Sequence, residues 1–430
     1  MIKTLLKKIL PLPASKQNAM EARIMGRIGQ VMEDVCLLKK AMTKLLSMHC
    51  LHQESQVCGE TFCKKKVIFI PLDNMMNLEN PYVCSIVENI EETDEASFCF
   101  IDGATSFWEK DDYDVVHFMW PTSVLIDGRN CDEVGRRIDF LKDKGITVVA
   151  TCHNLVPHYD QDLEHIRCYE LVYEKCDEIY HLGAYSFNLF EEKYPGKNKI
   201  LYHQVYTKRY TYFPDKEESR RFLHLKSNRK YVLCFGAVRS NEERELIRYC
   251  AKTLRRRVYF LVPSYFPACY LTDSSNLLKH LVKRCLALLF MLKERIFYPN
   301  ILFPIRNKVP EQDIPYWFSA CDIGFIHRCR ILNSGNLPLN YYYGNVVVGP
   351  DVGNVGAILK ETCNPVFSVR NYDTAAEEIL KGLQMQADGL GKRNRDFAVQ
   401  NWSEEKIAAQ QAAYYEALLL MQERQTRASI

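Results

Sequence analysis

Short apolar runs rich in β-branched residues alternate with longer amphipathic stretches along this chain, and the alternation begins twice. The first series of predicted strands is KKKVIFIPL (64–72), SFCFI (97–101), DVVHFMW (114–120), GITVVATCHN (145–154), EIYHL (178–182) and KILYH (199–203). Strands and helices at this spacing build right-handed βαβ units. The pattern therefore predicts an α/β fold with a parallel sheet.

The alternation stops at TKRYTYFPDKEESRRFLHLKSNR (207–229), a charged stretch, and then resumes. The second series is YVLCFGAV (231–238), RVYFLV (257–262), NILFP (300–304), DIGFI (322–326), NVVVG (345–349) and PVFSV (365–369). A chain of 430 residues is too long for one ordinary domain. We therefore predict two Rossmann-like domains, residues 64–206 and 230–398, joined by a linker at 207–229 and followed by a C-terminal helix in 399–430.

Residues 1–60 precede the first strand and carry two helical patterns. MIKTLLKKIL reads as a short basic amphipathic helix, which either lies on an anionic membrane or docks on the protein itself. Apolar residues between Ile24 and Leu45 then alternate spacings of 4 and 3. That heptad seam predicts a coiled coil forming a homodimer, or else a long helix packed on the globular body.

Composition excludes several classes of protein. A net charge of +3 over this length gives no domain-wide basic face, so we expect no nucleic-acid partner. No apolar run reaches the roughly 18 residues of a membrane span. The 17 cysteines are scattered without paired C-x-x-C spacing, which is typical of reduced thiols in a cytoplasmic protein and predicts no metal site.

The helix predicted at 277–297, LLKHLVKRCLALLFMLKERIF, is basic and apolar on most of its sides. It is interpreted either as a covering helix of the second sheet or as a surface that contacts a membrane.

Polar residues follow several predicted strands at their carboxyl ends, where open parallel sheets bind ligands. His153 and His158 follow 145–151, and Arg239 follows 231–236. Asn333, Ser334 and Gly335 follow 322–326 and precede a predicted helix. Backbone N–H groups, a hydroxyl and a helix start suit a phosphate, and Arg239 could grip the same anion. Alternatively, the three residues form an ordinary helix cap and Arg239 is a surface charge.

The motifs of several other nucleotide-using and hydrolytic enzymes are missing from the sequence. It has neither a G-x-x-x-x-G-K-[ST] loop nor a G-x-G-x-x-G fingerprint, and neither a G-x-S-x-G nor an H-E-x-x-H motif. What remains is metal-free use of a nucleotide diphosphate, with no cofactor beyond that substrate.

Seven segments stand out by their order and spacing across both halves of the chain: DVVHFMWP (114–121), VVATCHNLVPH (148–158), YHQVY (202–206), FGAVR (235–239), IPYWFSACDIGFI (314–326), ILNSGNLPL (331–339) and VVVGPDVGNVGAIL (346–359). Through these segments the chain resembles bacterial GT-B glycosyltransferases of the family 4 type over roughly residues 64–425. The resemblance implies two domains facing across a cleft, with the closing helix crossing back to the first domain. It also implies transfer of a sugar from a nucleotide diphospho-sugar to a glycan or lipid-linked acceptor, with retention, in cell-surface polysaccharide synthesis.

Carried over by position, the resemblance assigns roles to individual residues. The catalytic residues are His153, which lines the reaction centre, and Arg239, which binds the donor diphosphate. The other donor-binding residues are Asn333, Ser334 and Gly335 at the phosphates and Lys308 and Val309 at the base. The acceptor-binding residues are His117, Trp120 and His158.

This sequence also departs from the family pattern. It has no glutamate between Arg328 and Lys360, where the family usually has two, and the acidic run SNEE follows Arg239 where a lysine is usual. A nucleotide-sugar epimerase and a non-catalytic scaffold therefore remain as alternatives. A transferase of this kind is expected in the cytoplasm, with peripheral contact at the inner face of the membrane as a further option.

Overall fold

The computed structural model describes residues 65–77, 81–93, 97–157, 162–270, 277–304 and 308–428. The predictions for residues 1–60, namely the basic amphipathic helix and the homodimer through 24–45, lie outside the described residues.

Twelve strands lie where the sequence predicts them. They are β1 (Lys66–Ile70), β2 (Phe98–Asp102), β3 (Val115–Phe118), β4 (Thr147–Cys152), β5 (Glu178–His181), β6 (Asn198–Ile200), β7 (Tyr231–Leu233), β8 (Tyr259–Leu261), β9 (Ile301–Leu302), β10 (Ile323–Phe325), β11 (Val346–Pro350) and β12 (Val366–Phe367). Most are shorter than the apolar run that predicts them, because the hydrogen-bonded ladder ends before the buried side chains do.

Fourteen α-helices connect or flank these strands in the described part of the chain. They are α1 (Pro81–Thr93), α2 (Ser106–Glu109), α3 (Cys131–Asp143), α4 (Leu163–Lys175), α5 (Ala184–Lys193), α6 (Lys216–Phe222), α7 (Asn241–Thr253), α8 (Leu277–Phe297), α9 (Ile314–Ala320), α10 (Asn336–Tyr342), α11 (Gly353–Glu361), α12 (Tyr372–Ala387), α13 (Leu390–Trp402) and α14 (Glu404–Ala428).

The strands form two six-stranded sheets in which every pairing is parallel. The first has the order β2-β1-β3-β4-β5-β6 and the second β12-β11-β10-β7-β8-β9. Each sheet is buried on both faces by apolar clusters, which is why its strands read as continuous apolar runs. The predicted α/β fold with two Rossmann-like sheets is confirmed.

The charged stretch 207–229 contains helix α6, which is fixed to the second sheet by a buried ion pair. Nη2 of Arg220 lies 2.8 Å from Oδ2 of Asp322, and both residues are less than 10% exposed. The same carboxylate oxygen accepts the backbone N–H of Tyr231, at the start of β7. Arg220 also donates to the carbonyl oxygens of Ala320 and Ser227. One carboxylate therefore holds the predicted linker against the sheet that follows it.

The last helix, α14, packs on α1 and on the first sheet. Ser85 of α1 donates to the Glu404 carboxylate at 2.6 Å, and Tyr415 lies in the apolar cluster beneath β1 and β2. The chain end therefore covers the sheet with which the described chain begins.

Among the described helices, none combines the length and the apolar character needed to cross a bilayer.

We predict that Asp322→Ala lowers the free energy of unfolding by about 3–5 kcal/mol, because it leaves the Arg220 guanidinium buried without its partner. Urea denaturation measures the change. Lys230→Ala is the matched control, since Lys230 approaches the same carboxylate at 3.8 Å but its side chain is 64% exposed. Its expected cost is below about 1 kcal/mol. Equal losses for the two variants would contradict the prediction.

Candidate functional site

The strand order places a switch point in the second sheet between β7 and β10. The chain leaves β7 in one direction across the sheet and enters β10 on its other side. Ligands of open parallel sheets bind in the crevice at such a point, outside the carboxyl ends of the strands. The segments after β7 and after β10 therefore flank the crevice in which a ligand is expected.

The segment after β7 turns at Gly236, whose φ of 92° favours glycine. Nδ2 of Asn336 donates to the carbonyl oxygen of Phe235 at 2.8 Å and fixes the turn. A Cβ atom at position 236 would lie 3.2 Å from that Nδ2 and 3.6 Å from Nη2 of Arg328. The turn therefore needs a small residue and brings Arg328 against the backbone.

Two arginines flank this turn. Arg239 is exposed, and its backbone N–H donates to Oε2 of Glu243 at 2.7 Å, where α7 begins. Arg328 follows β10 and is half-buried. Sequence reasoning selected Arg239 but missed Arg328. Only the adjacency of β7 and β10, which a sequence does not display, brings the two residues to the same turn.

His327 lies beside the turn and is 1% exposed. Burial is the main cause that lowers the pKa of His327 to about 4. The imidazole is therefore neutral near pH 7 and adds no charge next to the two arginines.

His153, at the end of β4, lies in an aromatic setting in the first domain. Its ring stacks on Trp120 with centroids 4.9 Å apart and meets Tyr82 edge-on at 4.5 Å. Its Nε2 atom is enclosed and has no hydrogen-bond partner. Burial, with smaller effects of His203 and His117, lowers the pKa of His153 to about 3. The imidazole is therefore neutral near pH 7, and one of its ring nitrogens is buried without a partner.

A second histidine, His203, reaches across to the other domain. Its Nδ1 donates to the carbonyl oxygen of Gln204 at 2.9 Å, which leaves Nε2 as the unprotonated nitrogen. That Nε2 lies 3.3 Å from where a Cβ atom of Gly335 would be. His203 therefore faces the turn that precedes α10. It received no role in the sequence analysis, although it ends the predicted strand 199–203.

A group of carboxamides joins the two domains beside these histidines. Nδ2 of Asn333 donates to the carbonyl oxygens of Cys152 at 3.2 Å and His153 at 2.8 Å. Asn354 is fully buried; its Nδ2 donates to Oγ of Ser186 at 2.9 Å and to Oδ1 of Asn333 at 2.7 Å. Its Oδ1 accepts the backbone N–H of Ser186 at 3.0 Å. We call Asn333, Asn354 and Ser186 the carboxamide junction.

Gly183 closes the carboxamide junction from the first domain. A Cβ atom at this position would lie 2.7 Å from Cγ of Asn354. Its φ of 172° is open to any residue, so space alone selects glycine here.

The side chain of Asn333 is used between the domains. Contact of Asn333 with a phosphate through its backbone stays a prediction. Ser334 is half-buried and Gly335 is exposed. Ser334 lines a small cavity together with Asn333, His203 and Asn354.

The structure also corrects the prediction for His117. This residue is fully buried, and its ring nitrogens contact the Tyr415 hydroxyl at 2.5 Å and the Thr151 hydroxyl at 2.8 Å. It lies between the first sheet and α14, where no acceptor could touch it. Trp120 is half-exposed and stacks on His153, whereas His158 lies outside the described residues.

Lys308 and Val309 are the residues predicted to bind the base. Lys308 is exposed. Val309 is 6% exposed and packs with Val205 and Trp317 in the core of the second domain. The side chain of Val309 is therefore a core residue, and only its backbone could contact a base.

No protein-family model matches this chain, and no curated protein matches it. Solved structures do match. Sucrose-phosphate synthase of Thermosynechococcus elongatus aligns over 83% of this chain and 100% of its own, with a TM-score of 0.62 and 13% identity. HepE of Anabaena, solved with UDP, aligns over 82% of this chain and 100% of its own, with a TM-score of 0.61 and 12% identity.

The fold is GT-B. A putative UDP-N-acetylglucosamine 2-epimerase of Listeria monocytogenes shares it at a TM-score of 0.52 and 11% identity, over 84% of this chain and 98% of its own. At these identities the likeness establishes the fold.

We predict that Asn354→Ala lowers the free energy of unfolding by about 1–3 kcal/mol, because the backbone N–H of Ser186 and the Oδ1 of Asn333 lose their buried partner. Chemical denaturation measures the loss. Asn401→Ala is the matched control, because Nδ2 of Asn401 bonds within its own helix, to the Phe397 carbonyl at 2.9 Å. A loss no larger than that of the control would contradict the junction.

The lowered pKa of His153 also predicts that the stability of the fold depends on pH. The unfolded chain protonates His153 near its ordinary pKa of 6.5, whereas the folded chain does so only near pH 3. Stability from this group is therefore complete above pH 6.5 and falls as the pH drops toward 3, by up to about 1.4 kcal/mol per pH unit. His153→Phe keeps an aromatic ring on Trp120 but cannot titrate.

We expect this variant to lose less stability than the parent between pH 6.5 and 4, measured by denaturation at each pH. His165→Phe on α4 serves as the control for the substitution itself. An unchanged slope in His153→Phe would contradict the assignment.

Proposed function

We propose that this protein is a glycosyltransferase that uses a nucleotide diphospho-sugar. The observation that carries the proposal is the pair Arg239 and Arg328 at the Gly236 turn, on the switch point of the second sheet. Across the junction lies His153, whose enclosed Nε2 has no partner. An anion would bind on one side of the cleft and a hydroxyl on the other, which matches the two halves of such a donor.

The proposed donor site holds the diphosphate between the two guanidinium groups. Guanidinium groups grip phosphate oxygens with paired, charge-assisted hydrogen bonds. The tight Gly236 turn lets a phosphate approach the backbone closely, as glycine turns in other phosphate sites do. HepE, which shares the fold, was solved with UDP and with UDP-glucose, and this supports a nucleoside diphosphate as the handle.

The proposed reaction forms a bond between the acceptor oxygen and the anomeric carbon of the sugar. The bond from that carbon to the diphosphate oxygen breaks, and its electron pair stays on the diphosphate. The acceptor oxygen bonds to the anomeric carbon on the face from which the diphosphate leaves, so the configuration at that carbon is retained. The acceptor proton passes to a phosphate oxygen. Arg239 and Arg328 stabilise the charge that develops on the leaving group.

His153 is proposed to orient the transferred sugar. Its neutral ring can exchange a hydrogen bond with a sugar hydroxyl through Nε2, and stacking on Trp120 fixes the ring plane. Because the two arginines supply positive charge to the diphosphate, we propose that the reaction needs no metal and proceeds in the presence of a chelator. The acceptor is proposed to be a glycan or lipid-linked glycan of the cell surface, glycosylated in the cytoplasm.

An epimerase is the second candidate, because one solved neighbour is a putative UDP-N-acetylglucosamine 2-epimerase. The products separate the two functions. A transferase releases nucleoside diphosphate together with a glycosylated acceptor, whereas an epimerase returns a nucleotide-sugar of changed configuration. Failure to bind any nucleotide would instead favour a non-catalytic scaffold.

We predict that one of UDP, GDP, dTDP, ADP and CMP raises the melting temperature, since a ligand at 100 times its Kd stabilises the native state by about 2.7 kcal/mol. Arg239→Gln and Arg328→Gln should each weaken binding by about ten- to a hundredfold, because each removes a charge-assisted contact with the diphosphate. Calorimetric titration measures both changes.

Arg330→Gln is the matched control. This arginine lies two positions from Arg328, but its side chain is 83% exposed and pairs with Glu242. We expect its affinity for the nucleotide to equal that of the parent. If all three variants bind alike, the diphosphate does not lie at the Gly236 turn and the proposal fails.

A further inference from the structure

Helix α8 presents a continuous apolar stripe to solvent. The helix has 21 residues and connects β8 to β9 in the second domain. Cys285, Leu289, Leu292 and Ile296 follow one another at spacings of 4, 3 and 4, so they lie on one face. The three aliphatic side chains are 57–64% exposed. Val282 and Leu288 border the stripe and are about half exposed.

The opposite face of α8 holds the helix on the protein. Phe290 packs against Tyr265 and Phe266, with ring centroids 5.9 and 5.7 Å apart. Glu294 is fully buried, forms an ion pair with Arg248 and accepts the Tyr265 hydroxyl at 2.7 Å. The inner face is thus fully engaged, and the outward direction of the apolar stripe is fixed by these contacts.

The exposed charged side chains on both sides of the stripe are all positive. Arg284 and Arg295 lie along one side of it and Lys293 along the other, all three exposed. The helix has one acidic residue, Glu294, and it points inward to Arg248. An exposed apolar stripe between cationic borders is the pattern of a helix that lies in the plane of an anionic lipid surface.

We propose that α8 is a membrane-binding surface that docks the second domain on anionic lipid. The leucine and isoleucine side chains of the stripe enter the boundary between headgroups and acyl chains, and Arg284, Lys293 and Arg295 contact lipid phosphates. The proposal is independent of the donor site, because none of these residues belongs to it.

Charge also argues against two other occupants. Residues 1–64, which could cover the stripe, contain ten Lys and Arg against five Asp and Glu, so they would bring positive charge to a positive border. A second copy of the chain would set the same cationic borders against each other. Anionic lipid attracts both α8 and the basic MIKTLLKKIL segment.

Cysteine protection in the full-length native protein tests the proposal directly. Cys285 lies within the stripe and is exposed, while Cys363, after α11, is exposed away from it. The protein is alkylated with N-ethylmaleimide alone, with phosphatidylcholine vesicles, and with vesicles that also contain phosphatidylglycerol. Peptide mass spectrometry reads each rate. We expect the vesicles that contain phosphatidylglycerol to slow the alkylation of Cys285 by about tenfold and to leave the alkylation rate of Cys363 unchanged.

Two results would overturn the proposal. If Cys285 fails to react without vesicles, residues 1–64 or a second copy already cover the stripe. If anionic vesicles bind the protein but leave the Cys285 rate unchanged, another segment such as MIKTLLKKIL carries the binding.

Matched variants measure how much the apolar side chains of the stripe contribute to vesicle binding. Leu289→Gln with Ile296→Gln should reduce co-sedimentation with anionic vesicles by about tenfold, because two inserted side chains become polar. Leu163→Gln is the control; Leu163 is 80% exposed, on α4 of the first domain. Equal binding of the double variant and the control would also overturn the proposal.

Discussion

Asn354 is a fully buried carboxamide that contacts both domains at once. It donates to Ser186 in the first domain and to Asn333 in the second, and it accepts the backbone N–H of Ser186. An amide buried between apolar layers is costly to leave unpaired, so only one relative position of the two sheets satisfies all of its bonds. The placement of His153 opposite the turn at Gly335 depends on this relative position of the two sheets.

The two domains bring different kinds of side chain to the cleft, and burial explains why the histidines of the first domain are neutral. The first domain contributes aromatic rings and neutral histidines, because burial lowers the pKa of both His153 and His203. The second domain contributes the guanidinium groups of Arg239 and Arg328. His153 and His203 therefore add no positive charge opposite the two arginines near pH 7.

The sheets were predictable because parallel strands buried on both faces leave long apolar runs in a sequence, and all twelve were found. The site was harder to predict. Asn333 resembles a capping residue, yet its side-chain nitrogen donates to the carbonyl oxygens of Cys152 and His153, 181 and 180 positions away. His117 lies within the apolar run 114–120, and Tyr415, from the last helix, contacts its ring. Arg328 approaches the Gly236 turn because of a strand order that no local sequence pattern encodes.

The close approach of Gly183 to Asn354 links two positions that lie 171 residues apart. A Cβ atom on one side would occupy the space of the carboxamide on the other. Larger side chains at position 183 are compatible only with smaller ones at 354, so the two sites must covary. A different junction therefore requires paired substitutions at positions 183 and 354. A homologue in which only one of these positions has changed would need a different relative position of its two domains.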